Sequence, residues 1–221
     1  MSTQISTRTI VKDEGATVPS NNIINFIGSG VTVSSVGGAA QVDIPGNVSP
    51  TTFGLFAQTA DSIPVVNTAL ETTIIGAGEG TLAVPANGFS VGDSFTCALD
   101  GLVTCSSSAT LHIHVRTLTG VLLADTGIID MAAATNKSWV MNLYFTVRTL
   151  GVAGVASISS GGLFSYIRNG GTQFEGYVLS QINNTTFDTT INNTLLVTAQ
   201  WDPASTGNSI VTRNFTLTKI F

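Results

Sequence analysis

Charged side chains are scarce in this chain, because Asp, Glu, Lys and Arg together make up 10% of its 221 residues. An average soluble domain has about 25%. Hydrophobic residues reach 43%, so the polar part of the surface must come mainly from Thr, Ser, Asn and Gly. This composition is typical of all-β proteins that work in durable assemblies.

Clustered basic residues and long apolar runs are also missing. Eight Lys and Arg are scattered along a chain of net charge −5, whereas binding a nucleic-acid backbone needs clustered cations. The longest apolar stretches, such as residues 120–124, stop far short of the ~20 residues of a spanning helix. The start of the chain has no basic segment followed by an apolar one. We therefore expect no nucleic-acid partner, no membrane insertion, and synthesis and folding in a cytoplasm.

Catalytic motifs are lacking as well. The carboxylates are spread singly apart from Asp13 and Glu14, and no pair has the placement of an acid/base couple. No Gly-x-Ser-x-Gly elbow occurs, and the glycine run at 76–80 lacks the spacing of a phosphate loop. The sequence therefore predicts neither an enzyme nor a cofactor.

The two cysteines, Cys97 and Cys105, stand on either side of Asp100-Gly101, which predicts a turn. A two-residue hairpin would place Cys105 opposite Thr96 on the other sheet face, whereas a three-residue loop would bring Cys97 opposite Cys105. Because folding in a cytoplasm disfavours disulfides, we expect free buried thiols.

Apolar and polar residues alternate in several short stretches separated by turn-forming residues. In residues 110–116, Leu111, Ile113 and Val115 fall on one face of a predicted half-buried strand. Comparable runs occur at 94–99, 139–149, 154–158, 195–201 and 214–220. Helical periodicity is missing, apart from a possible single turn at 130–134. The fold class predicted is all-β, a jelly-roll β-sandwich.

The region before residue 50 has a different character. Residues 1–21 are predicted to be an attachment arm, 22–50 a small β connector or oligomerisation module with strands at 22–26, 31–36 and 40–44, and 51–221 the jelly roll. Three short strands cannot bury a core by themselves, so we expect the connector to associate with copies of itself.

Four segments carry a resemblance to viral proteins. The segments 22–33 (NIINFIGSGVTV) and 37–44 (GGAAQVDI) resemble the module that precedes the heads of phage fibres and other virion appendages. The segment 82–95 (LAVPANGFSVGDSF) and the closing segment, which consists of 189–201 and 204–210, resemble jelly-roll modules of viral structural proteins. The chain is thereby similar to virion structural proteins with a fibre-type N-terminal β module and a C-terminal head.

This resemblance implies a protein made in the host cytoplasm and placed on the particle surface. The role favoured is an oligomeric fibre or spike head that attaches to the host, and the alternative is a capsid vertex (penton) or decoration protein that stabilises the shell. The implied partners are copies of itself, with a trimer favoured and a pentamer possible, and other capsid or appendage proteins contacted through the arm. A host surface receptor or glycan is a further implied partner.

His112 and His114 form a His-x-His pair on one strand face, roughly 7 Å apart. Two ligands do not close a metal site, but three chains around an axis would offer six imidazoles to an octahedral transition metal. The interpretation that we favour is two partly exposed or interface histidines.

Aromatic residues flank a predicted loop at 169–171. Together with Asn169, they could contact a carbohydrate or a receptor at one end of the sandwich. Packing in the core or between subunits is the more ordinary explanation. The candidates are Phe164, Tyr166, Asn169, Phe174 and Tyr177.

Overall fold

A computed structural model describes residues 12–13, 16–17, 32–36, 39–43, 53–172, 174–202 and 206–220. The chain divides into two units, Met1–Ser49 and Pro50–Phe221. All regular structure in the described parts is β-strand. The all-β prediction is therefore confirmed.

The described residues of the first unit form two antiparallel pairs. β1 (Lys12–Asp13) pairs with β2 (Ala16–Thr17), and β3 (Thr32–Val36) pairs with β4 (Ala39–Asp43). The strands predicted at 31–36 and 40–44 are thus confirmed. The strand predicted at 22–26 and most of the arm predicted at 1–21 lie outside the described residues.

The second unit is a sandwich of two antiparallel sheets. The larger sheet has the order β15-β14-β13-β10-β17-β5-β8, with β6 also pairing with β17, and the smaller has the order β12-β11-β16-β7, with β9 pairing with β16. The strands are β5 (Phe53–Gln58), β6 (Val65–Val66), β7 (Thr72–Thr73), β8 (Gly78–Gly80), β9 (Ala83–Val84), β10 (Ser94–Cys105), β11 (Thr110–Thr117), β12 (Leu122–Asp130), β13 (Ala134–Thr149), β14 (Ser157–Ile167), β15 (Phe174–Asn183), β16 (Asn193–Asp202) and β17 (Ser209–Lys219). The predicted β-sandwich is confirmed.

The long strands pair in a nested way, as the chain of a jelly roll wraps. β10 pairs with β17, β11 with β16, and β13 with β14. The edge strands β12 and β15 belong to different sheets, and side chains bridge them. Asn183 Nδ2 donates to Leu122 O at 3.1 Å, and the hydroxyl of Tyr177 donates to Asp130 O at 3.2 Å. These bonds close one side of the sandwich.

The turn predicted at Asp100-Gly101 is wrong, because β10 runs without interruption through both residues. Gly101 lies at a register shift between β10 and β17, and a Cβ there would overlap the carbonyl oxygen of Val211. The glycine therefore serves a close strand approach. Cys97 and Cys105, both free and buried, lie on one strand about 26 Å apart, so neither hairpin register predicted for them occurs.

Two other local predictions are wrong. No helical turn forms at 130–134, because Asp130 ends β12 and Ala134 begins β13. The strand expected at 154–158 begins instead at Ser157, since Gly154 adopts a positive φ of 84° in the preceding turn. Positive φ suits a turn glycine and not an extended strand.

Candidate functional site

Both histidines of the chain lie on the outer face of the smaller sheet. Along β11, Leu111, Ile113 and Val115 are fully buried on the inner face. His112 and His114 point the other way, with 19% and 16% of their side chains exposed. Their ring centroids are 3.8 Å apart. The predicted face of β11 is confirmed, and the two imidazoles are in contact.

Asp125 reaches the two imidazoles from the neighbouring strand β12. Its Oδ1 is 2.5 Å from His112 Nε2, and its Oδ2 is 3.8 Å from His114 Nε2. His112 pairs with Ile128 and His114 with Asp125, so the two strands shift register between these positions. The irregularity is a β-bulge, a device that re-aims side chains near functional sites.

The bulge is held by two further hydrogen bonds. Thr126 Oγ1 accepts the backbone N–H of Ile113 at 3.0 Å, in place of a ladder bond. The N–H of Gly127, whose φ is +62°, donates to Asp125 Oδ1 at 2.6 Å. The second bond fixes the orientation of the carboxylate toward the histidines.

Glu71 approaches the same group from the other side, immediately before β7. Its Oε1 is 2.6 Å from His114 Nδ1, and its Oε2 forms an ion pair with Arg116. Thr198 Oγ1 donates to Oε2 at 3.5 Å. Nδ1 of His114 is buried and, despite its close approach to Glu71, lacks a well-directed hydrogen bond. We call His112, His114, Asp125 and Glu71 the histidine–carboxylate cluster.

The cluster concentrates ionisable groups in a chain that has few. Burial lowers the pKa of His114, as does the neighbouring His112, while Asp125 acts in the opposite direction. A lowered pKa keeps this imidazole neutral near pH 7, with a lone pair on one ring nitrogen. Ligand atoms of His112, His114 and Asp125 all lie within 4.8 Å of one another. Such a set can coordinate a cation.

A second feature is the outer face of the larger sheet over β13, β14 and β15. Pairing places Leu163 between Asn142 and Val178, and Gly161 between Tyr144 and Ser180. The exposed large apolar side chains on this face are Val140, Tyr144, Leu163, Phe174, Val178 and Ile182. No residue from Val140 to Thr146 is charged. The outward-facing residues of β14 and β15 that pair with this stretch are uncharged as well. We call this surface the β13–β15 face.

The structure separates the residues predicted to contact a ligand. Phe164 and Tyr166 are fully buried, so for these two the core alternative holds. Tyr177 is half-buried and its hydroxyl is bonded to Asp130 O. Phe174 is 66% exposed and points outward on the β13–β15 face. The surface contact predicted for Phe164 and Tyr166 is therefore corrected.

Asn169 lies in the turn after β14, beside a shallow hollow lined in part by Ala132, Ala133 and Thr172. Its side chain is bonded to the second residue of β13: Thr135 N donates to Oδ1 and Nδ2 donates to Thr135 Oγ1, both at 3.0 Å. These bonds give Asn169 a role in holding the turn after β14 to the start of β13.

An apolar cavity of about 60 Å³ lies between the sheets, against Phe89, Phe95 and Phe187. Typical ligand pockets measure roughly 300–1,000 Å³. The cavity is too small for an organic ligand of ordinary size.

Among the described residues there is also no helix that could cross a membrane.

Comparisons with known proteins identify little. No protein-family model and no curated protein sequence matches the chain. Among solved structures, it is similar to the CBM2 module of the evolved Dit of Lactobacillus casei BL23 phage J-1, with 11% identity and a TM-score of 0.29. The match covers 62% of this chain and 66% of that one. A likeness this distant carries no conclusion about function.

Sequence reasoning missed Asp125 and Glu71. Asp125 is 11 positions beyond His114 and Glu71 is 43 positions before it, and no local motif connects either to the histidines. The polar alternation of residues 110–116 was the signal for the histidines. A carboxylate brought close by a bulge leaves no comparable periodic signal.

Proposed function

We propose that this protein is a structural component of a virus particle, an oligomeric fibre or spike head that assembles through the β13–β15 face and attaches the particle to its host. The observation that carries the proposal is that face, which is apolar and exposed on three adjacent strands and carries no charge from Val140 to Thr146 or at the outward residues paired with them. The role proposed is mechanical and adhesive, not catalytic.

Exposure of this kind is costly for a protein that works alone. Val178 is 77% exposed and stands directly opposite Leu163 across β14 and β15, so their apolar surfaces are contiguous. Phe174 and Ile182 extend the same side of the edge strand β15. Large contiguous patches of exposed apolar surface mark interaction sites, and an open edge strand beside such a patch is normally protected.

The occupant proposed is further copies of the chain, related by the symmetry axis of the oligomer. Identical faces turned toward that axis bring no like charges together, and their Asn and Ser side chains can donate and accept hydrogen bonds across the contact. Asn142, Ser159 and Ser180 supply these groups in the same rows as the apolar residues. A face that carried charge of one sign would repel its own copy.

The resemblance of the N-terminal segments to fibre modules supports a place on a particle. In that role the arm predicted at residues 1–21 anchors the protein to the particle, and the head meets the host surface. Phe174, the first residue of the edge strand β15 and therefore at the margin of the face, is the exposed aromatic side chain that we assign to a host receptor or glycan and not to the self-contact. The alternative role is a capsid vertex or decoration protein, which needs the same self-contact but a different symmetry.

The native mass of the purified chain tests the self-contact. Sedimentation should give an oligomer, with a trimer supporting a fibre or spike and a pentamer supporting a vertex protein. Val178→Lys should shift the mass toward the monomer, because the charge would be buried against a copy of itself. Ile63→Lys is the matched control, since Ile63 is 83% exposed and lies away from the face. A monomeric wild-type chain, or a Val178→Lys chain of unchanged mass, contradicts the proposed contact.

Location on the particle requires a separate experiment. Virions labelled with an antibody to this protein should show it on fibres or spikes in electron micrographs. Labelling of vertices would select the alternative role. Purified particles that contain none of the protein would overturn both.

A further inference from the structure

We infer that the histidine–carboxylate cluster binds one divalent transition-metal ion per chain, with His112, His114 and Asp125 as the protein ligands. The inference is independent of the proposed viral role. It differs from a site shared between chains, because one chain supplies every protein ligand.

The donor set fits the chemistry of such ions. Imidazole nitrogen and carboxylate oxygen together suit Zn²⁺ and neighbouring first-row metals, and two histidines with one carboxylate form a common three-ligand site with open positions. His112 and His114 lie on one strand face and Asp125 on the next strand, so three ligands come from two hydrogen-bonded strands. This placement needs no partner subunit.

The distances require only small rotations to admit an ion. Ligands about 2.0–2.2 Å from a tetrahedral zinc are about 3.3–3.6 Å from one another. The carboxylate of Asp125 is 2.5 Å from His112 Nε2 and 3.8 Å from His114 Nε2, which brackets that range. Their side chains are 16–30% exposed, so an ion can enter and water can fill the open position.

The groups behind the ligands are those that orient metal-binding side chains. The ring nitrogen of a ligating histidine that faces away from the metal usually meets a carboxylate. Here Glu71 Oε1 is 2.6 Å from His114 Nδ1, and Arg116 holds the other oxygen of Glu71. The buried Nδ1 without a well-directed hydrogen bond needs only a slight turn toward Glu71, which would leave Nε2 as the ligand.

A bound ion would tie β12, the edge strand of the smaller sheet, to β11. Asp125 belongs to the bulged part of β12, where the register shift interrupts the regular ladder. Metal coordination there would replace a backbone contact that the bulge removes. The ion should therefore stabilise the folded chain, by a free energy that grows with the logarithm of the ion concentration divided by the dissociation constant.

The test uses the full chain without a polyhistidine tag, treated with a chelator and titrated with Zn²⁺ and Co²⁺. Calorimetry and metal analysis should give one ion per chain, and the melting temperature should rise with ion concentration. Asp125→Asn should weaken binding at least tenfold, while Asn keeps an oxygen to accept the N–H of Gly127. His112→Gln should do the same.

One control variant separates ligation from a general change of charge, and a second variant tests the orienting carboxylate. Asp61→Asn removes an exposed carboxylate that lies near Arg213, between β5 and β6. This variant should bind the metal ion as the wild type does. Glu71→Gln should weaken binding ten- to a hundredfold as an orienting residue. Absence of saturable binding at micromolar ion, unchanged affinity in Asp125→Asn and His112→Gln, or one ion per three chains would each overturn the inference.

Discussion

The indole N–H of Trp201 donates a 3.0 Å hydrogen bond to the backbone carbonyl of Val65. Trp201 lies on β16 in the smaller sheet, whereas Val65 lies on β6, which pairs with β17 in the larger sheet. Both residues are buried. The bond therefore joins the two layers of the sandwich inside the core, where an unpaired carbonyl would be costly.

Replacement of Trp201 by Phe should lower the free energy of unfolding by about 2–4 kcal/mol. The change removes the donor, leaves the Val65 carbonyl unsatisfied and opens a space in the core. Urea denaturation measures the effect. Tyr144→Phe, on the exposed outer face of β13, should change the midpoint little. Equal midpoints for Trp201→Phe and the wild type would contradict the role given to this bond.

Two adjacent glycines of β14 should respond oppositely to alanine. A Cβ at Gly162 would overlap the carbonyl oxygen of Asn142 and lie 2.8 Å from Leu143 Cδ2, whereas a Cβ at Gly161 would meet only Leu179 O, at 3.9 Å. Gly162→Ala should destabilise the fold by about 1–3 kcal/mol through overpacking. Gly161→Ala should be neutral or stabilise it by about 0.4–1 kcal/mol, because it restricts the unfolded chain.

Thermal and urea unfolding of the two glycine variants provide the comparison, and each serves as the control for the other. The melting temperature of Gly162→Ala should lie clearly below the wild-type value, and that of Gly161→Ala should lie at or above it. Equal destabilisation of both would mean that β14 does not approach β13 as closely as described.

Stability should decrease as the pH rises from about 10 to about 12 because of Tyr166. Burial raises the pKa of its phenol to about 12, whereas the unfolded phenol has a pKa of about 10. Below pH 10 both states keep the proton. Above it the unfolded state loses the proton first, so the balance shifts toward unfolding until the folded phenol also ionises. Urea midpoints across this range should fall less steeply in Tyr166→Phe.

A spectroscopic titration checks the same group directly. Absorbance of phenolate in the native protein should show a late-titrating tyrosine near pH 12 that Tyr166→Phe lacks. The pKa of Tyr177 is also raised, first by burial and then by Glu175, so a remaining delayed signal in the variant is expected. If Tyr166→Phe showed the same late-titrating absorbance as the wild type, the assignment of that signal to Tyr166 would be contradicted.

Neither cysteine should react with a thiol reagent in the native protein. Burial raises the pKa of Cys97 and of Cys105, and the thiol, not the reactive thiolate, is then present. Urea should expose two reactive thiols per chain. Rapid labelling of the folded protein at neutral pH would show that β10 is more open than the structure describes.

Local patterns explain which parts of the fold were predictable. The strict alternation of residues 110–116 predicted β11 and its two faces, because side chains of a strand alternate whatever its neighbours are. Asp100-Gly101 misled, since the same dipeptide that forms hairpin turns also fits a strand where Val211 comes close. β15 was missed, because its outward Val178 and Ile182 are apolar and hide the alternation.

The sequence by itself determined that the chain is all-β, that its surface carries few charges, and that His112 and His114 share one face. Only the tertiary structure decided that Asp125 and Glu71 meet those histidines, and that six apolar side chains of β13–β15 form one exposed surface. The reason is physical. Alternation is a property of one strand, whereas register, bulges and strand order depend on packing between segments that are distant in the chain.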